Sequence, residues 1–279
     1  MITCKFVGEL GNNLFQLATL LNIHVTMNID YCIPNHRIYW NDNNINTLEF
    51  PQLFNYEFNY NNIDLQNYIH FDRLPTNDSK YTHKYSEIKT EDNVCIEGYF
   101  QCEKYFKTIS NKLKTKYFEF KPTLINSISE KYGDLSTTAA VHVRHGRDRL
   151  HDCIFAKSFN QFNDVYYRRA IQFLVERYDV RQILLISDHI EWCKNNISIP
   201  NVVFIENSTN IEDFVLFSLC KYNVLGNSTF SWWASYLNKT SPVKIIPPPS
   251  KYFYENSALS MIDVSDMYID DTYQILEID

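Results

Sequence analysis

The stretch NVLGNSTFSWWASYL, Asn223 to Leu237, predicts a strand, a turn and the start of a helix. A short apolar run ends at Gly226, and the hydroxyl residues Ser228 and Thr229 precede an aromatic-rich helical segment. Asn227 or Ser228 is a good N-cap, and the N–H groups of a first helical turn form a ready anion site. Gly226 allows the backbone to come close to a ligand bound there.

The same spacing also fits a capped, buried helix whose Trp232 and Trp233 only fill the core. The surrounding half of the chain alternates apolar strands with helical segments. The strands are AAVHV, ILLISD, VVFIEN and VKIIPPP, and one helix face comprises Tyr167, Ala170, Ile171, Leu174, Val175 and Tyr178. This alternation predicts a parallel, doubly wound sheet with ligands at the carboxyl ends of its strands.

The first half opens with the same kind of unit. The sequence predicts a strand at ITCKFV, a turn at GELGNN and a helix at LFQLATLLNIHV. Together these three elements form the start of a Rossmann-like domain. The turn is not a full G-x-G-x-x-G, so a tight connection without a ligand fits equally well. In residues 35–93, TLEFPQLF contains a candidate strand, as does NVCIEGYF, which runs on past residue 93. EGYFQCEKYFKTISNKLKTKYF ends this half with a predicted amphipathic helix.

A domain boundary is expected in the polar stretch between Pro122 and Thr138, which precedes an abrupt apolar strand. The predicted domains are residues 1–135 and 136–279, with the last residues a candidate to pack back on the first domain.

Composition excludes several classes of protein. The net charge of −7 argues against a nucleic-acid partner, because phosphate backbones require a basic face. Seven cysteines without a C-x-x-C pair indicate free thiols in a reducing compartment. No apolar run approaches the roughly 20 residues of a membrane helix, and the start lacks a signal-peptide layout. We therefore expect a soluble, cytoplasmic protein.

VHVRHGRD, residues 141–148, ends the first strand of the second half. His142 and Arg144 alternate along this strand and are expected on one face. A guanidinium at a strand terminus suits a pyrophosphate, because its fork donates to two oxygens. Alternatively, the cluster makes solvated surface ion pairs, which is the favoured interpretation for Arg147 and Arg149. That alternative covers His145, Arg147, Asp148 and Arg149.

The sequence contains no Asp-x-Asp, the usual carboxylate pair for a divalent ion on a nucleotide diphosphate. The charge of a departing diphosphate would then be met by Arg144, backbone amides and the helix start after Gly226. No metal is implied.

Five motifs in order resemble the α-1,2-fucosyltransferase family of bacterial and viral type, within the fucosyltransferase superfamily. GELGNNLFQLA is similar to the family's G-G-L-G-N-Q-M-F-Q-Y-A, and VHVRHGRD to V-H-V-R-R-G-D. The others are GYFQCEKYF, ISDHIEWC and LGNSTFSWWASYL, similar to G-Y-W-Q-S-E-K-Y-F, F-S-D-D-I-E-W-C and A-N-S-T-F-S-W-W-A-A-W-L.

This resemblance implies a GT-B glycosyltransferase, with two Rossmann-like domains facing a cleft. The C-terminal domain would bind GDP-fucose and the N-terminal domain the glycan acceptor, with inversion and without a metal. Arg144 and Asn12 would be catalytic, Arg144 on the diphosphate and Asn12 reaching across near the β-phosphate. Asp213 would accept from guanine. The implied donor-binding set is Gly11, Asn12, His142, Arg144, Asp188, Asp213, Asn227, Ser228, Thr229 and Phe230, although Asp188 is alternatively a helix cap.

The chain departs from the family pattern at both ends of the predicted site. His145 stands where the family has a second arginine, and the following Asp is replaced by Arg147 or displaced to Asp148. Glu9 replaces a glycine in the opening turn. Glu9 and Asp148 are the candidate general bases. The alternatives are a transferase of the same fold using another GDP-deoxysugar or a protein hydroxyl, and a nucleotide- or glycan-binding protein without turnover.

Overall fold

The structure is a computed structural model that describes residues 1–37, 46–61, 69–72, 85, 87–88, 93–145, 162–251, 265–267 and 273–276. The chain forms two compact units. Unit 1 comprises Met1–Lys121 with Ser265–Tyr268, and unit 2 comprises Pro122–Val264 with Ile269–Asp279. The sequence places the boundary at residue 135. In the structure, helix Pro122–Tyr132 packs on helix Asn210–Leu219 of unit 2, so the division falls before this helix.

Unit 1 is built on a parallel sheet of three strands in the order β1-β7-β6. Helix α1 follows β1 as predicted, and its buried face is continuous from Leu10 to Ile23. The elements are β1 Thr3–Lys5, α1 Leu10–Met27, β2 Ile33–Pro34, β3 His36–Arg37, β4 Asn46–Thr47, α2 Phe50–Leu53, β5 Tyr60–Asn61, β6 Ile69–Asp72 and β7 Val94–Glu97.

Two predictions for unit 1 are corrected by the structure. In TLEFPQLF only Thr47 lies in a strand, β4, which pairs with β3, and Pro51 occupies the first turn of helix α2. The predicted amphipathic helix is broken into short turns. These are the 3-10 turns Glu103–Tyr105 and Lys107–Ile109, α3 Ser110–Lys112 and a π turn Leu113–Tyr117.

Unit 2 contains an all-parallel sheet of six strands in the order β10-β9-β8-β11-β12-β13. The α/β class and the parallel sheet are therefore confirmed. The elements are α4 Pro122–Tyr132, β8 Thr138–Val143, α5 Asp164–Arg177, β9 Gln182–Ser187, α6 Ile190–Asn196, β10 Val202–Phe204, α7 Asn210–Leu219, β11 Tyr222–Val224, α8 Thr229–Leu237, β12 Val243–Ile246 and β13 Tyr273–Ile275.

The core of unit 2 lies between the sheet and its helices. Val141 and Val143 of β8 pack with Tyr166 and Tyr167 of α5 on one side. Trp232 and Trp233 of α8 are fully buried, as the core interpretation of this helix expects. Val175 is 48% exposed and does not belong to the buried face of α5, contrary to the prediction.

The six cysteines among the described residues are buried free thiols, in agreement with the sequence prediction. Burial raises the pKa of the Cys193 thiol to about 11, so this thiol is protonated at neutral pH. Among the described residues, no helix has both the length and the apolarity needed to cross a membrane.

Candidate active site

Three neighbouring strands of unit 2 end where the sequence predicts the ligand. Val143 of β8 pairs with Ser187 of β9, and Val141 of β8 pairs with Val224 of β11. Because the strands are parallel, their carboxyl ends share one edge of the sheet. The residues that follow them, Arg144, Asp188 and Gly226, are therefore brought together at this edge.

Gly226 is required by a close approach of two strand ends. A Cβ atom at this position would lie 3.1 Å from the His142 carbonyl oxygen and 3.5 Å from the Arg144 nitrogen. It would also lie 3.1 Å from the Tyr167 hydroxyl. Only glycine leaves room for the loop after β11 to lie against the end of β8.

Asp188 holds the end of β8 in place. Its carboxylate accepts a hydrogen bond from Arg144 Nη1 in an ion pair and a second one from the His145 backbone N–H at 2.9 Å. Asp188 is thus not the cap of α6, whose N-cap is His189. A guanidinium has five N–H donors, and this ion pair orients the fork while using one of them. The side chains of Arg144 and Asp188 are each 24% exposed, so a ligand can reach them.

His145 makes ring contacts in unit 2. Its ring stacks on Trp192 with centroids 4.0 Å apart, and its Nδ1 lies 3.2 Å from His189 Nδ1. The other members proposed for the surface cluster lie outside the described residues, so this interpretation of His145 stays a prediction. Gly146, Arg147, Asp148 and Arg149 lie outside the described residues. Sequence reasoning missed the pair of His145 with His189, although both positions depart from the family motifs.

His142 and Phe230 join β8 to the first turn of α8. Their rings are stacked with centroids 5.1 Å apart, and Phe230 meets the edge of Phe214 on α7 at 5.2 Å. His142 is buried, whereas Phe230 is partly exposed. These three rings place the start of α8 beside β8, the strand that precedes Arg144.

The start of α8 agrees with the predicted N-cap in position. Ser228 is the N-cap, with an extended backbone, but its hydroxyl makes no capping hydrogen bond to the helix. Asn227 is buried, and Thr229 is the first helical residue and partly exposed. The hydroxyl of Ser228 is thus not committed to the helix that it begins, and N–H groups at a helix start are suited to an anion.

Asp213 lies in the first turn of α7, whose start is fixed by a capping box between Thr209 and Glu212. Ser208 Oγ donates to its carboxylate at 2.6 Å. Burial is the main cause that raises the pKa of Asp213 from 3.8 to about 6, and the Ser208 hydrogen bond opposes it. At neutral pH the carboxylate is therefore ionised and able to accept hydrogen bonds.

The predicted residues of unit 1 lie at the β1–α1 turn. Gly8 has φ +86, and a Cβ atom there would lie 2.5 Å from Asn12 Nδ2. Gly11 and Asn12 are in the first turn of α1, and Asn12 Oδ1 accepts from Gln101 Nε2 at 2.8 Å. Glu9 is the N-cap of α1 and is exposed. Among the described residues, no group of three His, Cys, Asp or Glu side chains is arranged to hold a metal ion.

Comparison with known proteins decides the family. The family model described as glycosyl transferase family 11 matches residues 1–260. The chain belongs to this family. Family 11 membership confirms the resemblance inferred from the five motifs.

Curated relatives of this family 11 chain include an α-1,2-colitosyltransferase of Escherichia coli, 33% identical over 175 residues, which cover 60% of this chain and 58% of that protein. The human galactoside α-(1,2)-fucosyltransferase 1 is 31% identical over 106 residues, covering 36% of this chain and 29% of that protein. The chain thus spans less than two thirds of the length of these relatives.

Solved structures show the same fold at low identity. Fucosyltransferase NodZ from Bradyrhizobium matches the family 11 chain with a TM-score of 0.54 and 15% identity, covering 87% of this chain and 93% of that one. POFUT1 in complex with GDP matches with a TM-score of 0.53 and 12% identity, covering 88% and 97%. These likenesses support the α/β architecture of both units.

Proposed function

We propose that the chain is an inverting glycosyltransferase of GT-B architecture that transfers L-fucose from GDP-fucose to a glycan hydroxyl, the 2-OH of a galactose, without a metal ion. The observation that carries this proposal is the edge of the unit 2 sheet. There an oriented guanidinium, an uncommitted hydroxyl and a helix start follow neighbouring strands. Such a combination of positive and N–H donor groups suits a diphosphate leaving group.

In the proposed reaction, the acceptor oxygen forms a bond to the anomeric carbon while the bond from that carbon to the diphosphate oxygen breaks. GDP leaves with the electron pair, and the hydroxyl proton passes to a base. Arg144 stabilises the charge that develops on the diphosphate, with Asp188 holding its guanidinium in place. Asn12 contacts the β-phosphate, with Gly11 beside it in the first turn of α1.

The remaining assigned residues bind the rest of the donor. Ser228 and Thr229 donate to phosphate oxygens, with Asn227 shaping the turn, and the His142–Phe230 stack lines the nucleoside site. Asp213 accepts from guanine N1–H and N2–H₂ in its ionised form. Of the two candidate bases, Glu9 is exposed at the start of α1, and Asp148 lies outside the described residues.

Nucleotide selectivity tests the donor. Binding to the native state raises apparent stability, so GDP at about a hundred times its dissociation constant adds about 2.7 kcal/mol. We expect a rise in melting temperature with GDP and none with UDP or ADP at the same concentration. An equal shift with all three nucleotides would contradict the guanine assignment.

Turnover tests the transferase. GDP release from GDP-fucose should rise when a galactose-terminated acceptor is added, and NMR of the product should show fucose in α-1,2 linkage to that galactose. Activity that persists in EDTA supports the metal-independent reaction, and activity that returns only with a divalent ion refutes it. A chain that binds GDP but releases none from GDP-fucose would be the binding protein without turnover.

A second donor is favoured by a specific observation: the relative that is 33% identical is named an α-1,2-colitosyltransferase. A colitosyl group is therefore the alternative sugar, transferred by the same site. Competition between the GDP-activated fucosyl and colitosyl donors for one acceptor decides between them, because kcat/KM ratios measure specificity directly.

A further inference from the structure

The side chain of Gln101 meets Asn12 at the β1–α1 turn of unit 1. Gln101 Nε2 donates to Asn12 Oδ1 at 2.8 Å, and Asn12 Nδ2 lies on the opposite side, over Gly8. An asparagine amide has one acceptor end and one donor end, and only the donor end can bind a phosphate oxygen. A hydrogen-bond donor that engages Asn12 Oδ1 therefore determines which end of the Asn12 side-chain amide points towards Gly8.

The backbone around Gln101 is held in an uncommon conformation. Phe100, a bulky residue, has φ +50, in the left-handed region that such residues rarely adopt. The Cys102 N–H bonds the Phe100 carbonyl at 2.7 Å, and the Phe100 ring meets the edge of Tyr105 at 5.3 Å. Strain of this kind persists where the surrounding structure fixes it and is common at functional sites.

A buried amide network fixes the distance between the two residues. Gln16 Nε2 donates to the Gly98 carbonyl at 2.9 Å, and the Val7 N–H donates to Gln16 Oε1 at 3.1 Å. Asn13 Nδ2 adds a bond to the Val7 carbonyl at 3.2 Å. Helix α1 is thus tied to the ends of both β1 and β7, so that Asn12 and Gln101 keep their separation.

We propose that Gln101 is a positioning residue, which orients the Asn12 amide so that its Nδ2 donates to the β-phosphate of the GDP moiety. This proposal rests on the function proposed above for Asn12. Gln101 acts through Asn12 and does not itself contact the nucleotide.

The test compares GDP with GMP, which lacks the β-phosphate, by calorimetric titration of the full chain. Gln101→Ala should weaken GDP binding by about three- to tenfold, the effect of losing one hydrogen bond, and leave GMP affinity within about twofold. Gln101→Glu should weaken GDP binding more, because a carboxylate only accepts and turns Asn12 Oδ1 towards the phosphate. The matched control is Gln172→Ala, which removes an exposed Gln172–Glu176 hydrogen bond on α5 and should change neither affinity.

A double-mutant cycle separates positioning from independent binding. In Asn12→Ala, the further change Gln101→Ala should add no loss of GDP affinity, since there is nothing left to orient. Additive losses, or equal losses for GDP and GMP, would overturn the positioning role while leaving that of Asn12 intact. Unchanged GDP affinity in Asn12→Ala would refute the proposed role of Asn12 itself, and the positioning role with it.

Discussion

Arg144 is the residue on which the proposed chemistry depends most. Removing a preorganised charge donor costs about a hundredfold or more in rate, and we expect this loss for Arg144→Ala. Arg144→Lys should retain part of the activity, because it keeps the charge but not the fork that Asp188 orients. The measurement is kcat for GDP release at saturating acceptor. Arg181→Ala, which breaks an exposed ion pair with Asp179, is the control and should behave as wild type. Activity of Arg144→Ala within a few-fold of wild type would refute the role assigned to Arg144.

Asp213 should make stability depend on pH. Its pKa is about 6 in the folded chain, against an ordinary value of 3.8 when the chain is unfolded, so the folded state holds the proton more tightly. The resulting stabilisation is complete below pH 3.8 and is lost as pH rises through 6. Asp213→Asn does not titrate, so at pH 7.5 it should exceed wild type in free energy of unfolding by roughly 2–3 kcal/mol, and the gain should vanish near pH 4.

Urea unfolding of wild type and Asp213→Asn between pH 4 and 7.5 measures this difference in the free energy of unfolding. Asp179→Asn is the control, because a hydrogen bond from Arg181 lowers the pKa of that exposed carboxyl, and its replacement gives no gain at neutral pH. If the free energies of unfolding of Asp213→Asn and wild type change in parallel with pH, the pKa of the Asp213 carboxyl is not perturbed. Under the proposed guanine role of Asp213, GDP binding should also weaken below pH 6, since a protonated carboxyl loses acceptor capacity.

At the scale of elements, the contact between the ends of β8 and β11 depends on Gly226. In Gly226→Ala, the new methyl group meets the His142 carbonyl at 3.1 Å, and overpacking of this kind costs typically 1–3 kcal/mol. We expect a lower free energy of unfolding and weaker GDP binding, because Arg144 follows the strand that must move. Gly133→Ala is the control: its φ of +71 strains the backbone, but the side-chain position is open, so GDP affinity should not change. Equal GDP affinities in both variants would contradict the placement of the site.

Sequence patterns predicted most elements of unit 2 because strands β8 to β12 are largely apolar and α5 has a regular helical period. They missed helix α4, because its polar sequence resembles a linker and only Ile128 of it is buried. They also missed β13, whose three residues Tyr273–Ile275 carry no run long enough to recognise. In residues 103–117, the buried Tyr105, Ile109, Leu113 and Tyr117 recur every four residues. On a helix of 3.6 residues per turn, residues four apart do not stay on one face. The chain instead combines 3-10 and π turns over this segment.

For the site, sequence identified which side chains follow the strands but not their partners. Arg144 is recognisable as a charged residue at the end of an apolar strand, and Gly226 as one of only six glycines in the chain. The bonds of Asp188 to Arg144 and His145, and of Gln101 to Asn12, join residues distant in the chain. Such pairs depend on strand register and on the left-handed Phe100, and neither follows from local propensity.

At the scale of the whole molecule, the donor proposal assigns residues of both units to one ligand, and hydrogen exchange tests this assignment. Excess GDP should protect amides of unit 2 around residues 141–145 and 226–232, since ligand binding suppresses local opening. If Asn12 also contacts the β-phosphate, residues 8–13 of unit 1 should gain protection with GDP and less with GMP. Helix α4, which the proposal leaves outside the site, is the internal control. Protection confined to unit 2 would remove Asn12 from the donor site and leave the nucleotide bound by unit 2 alone.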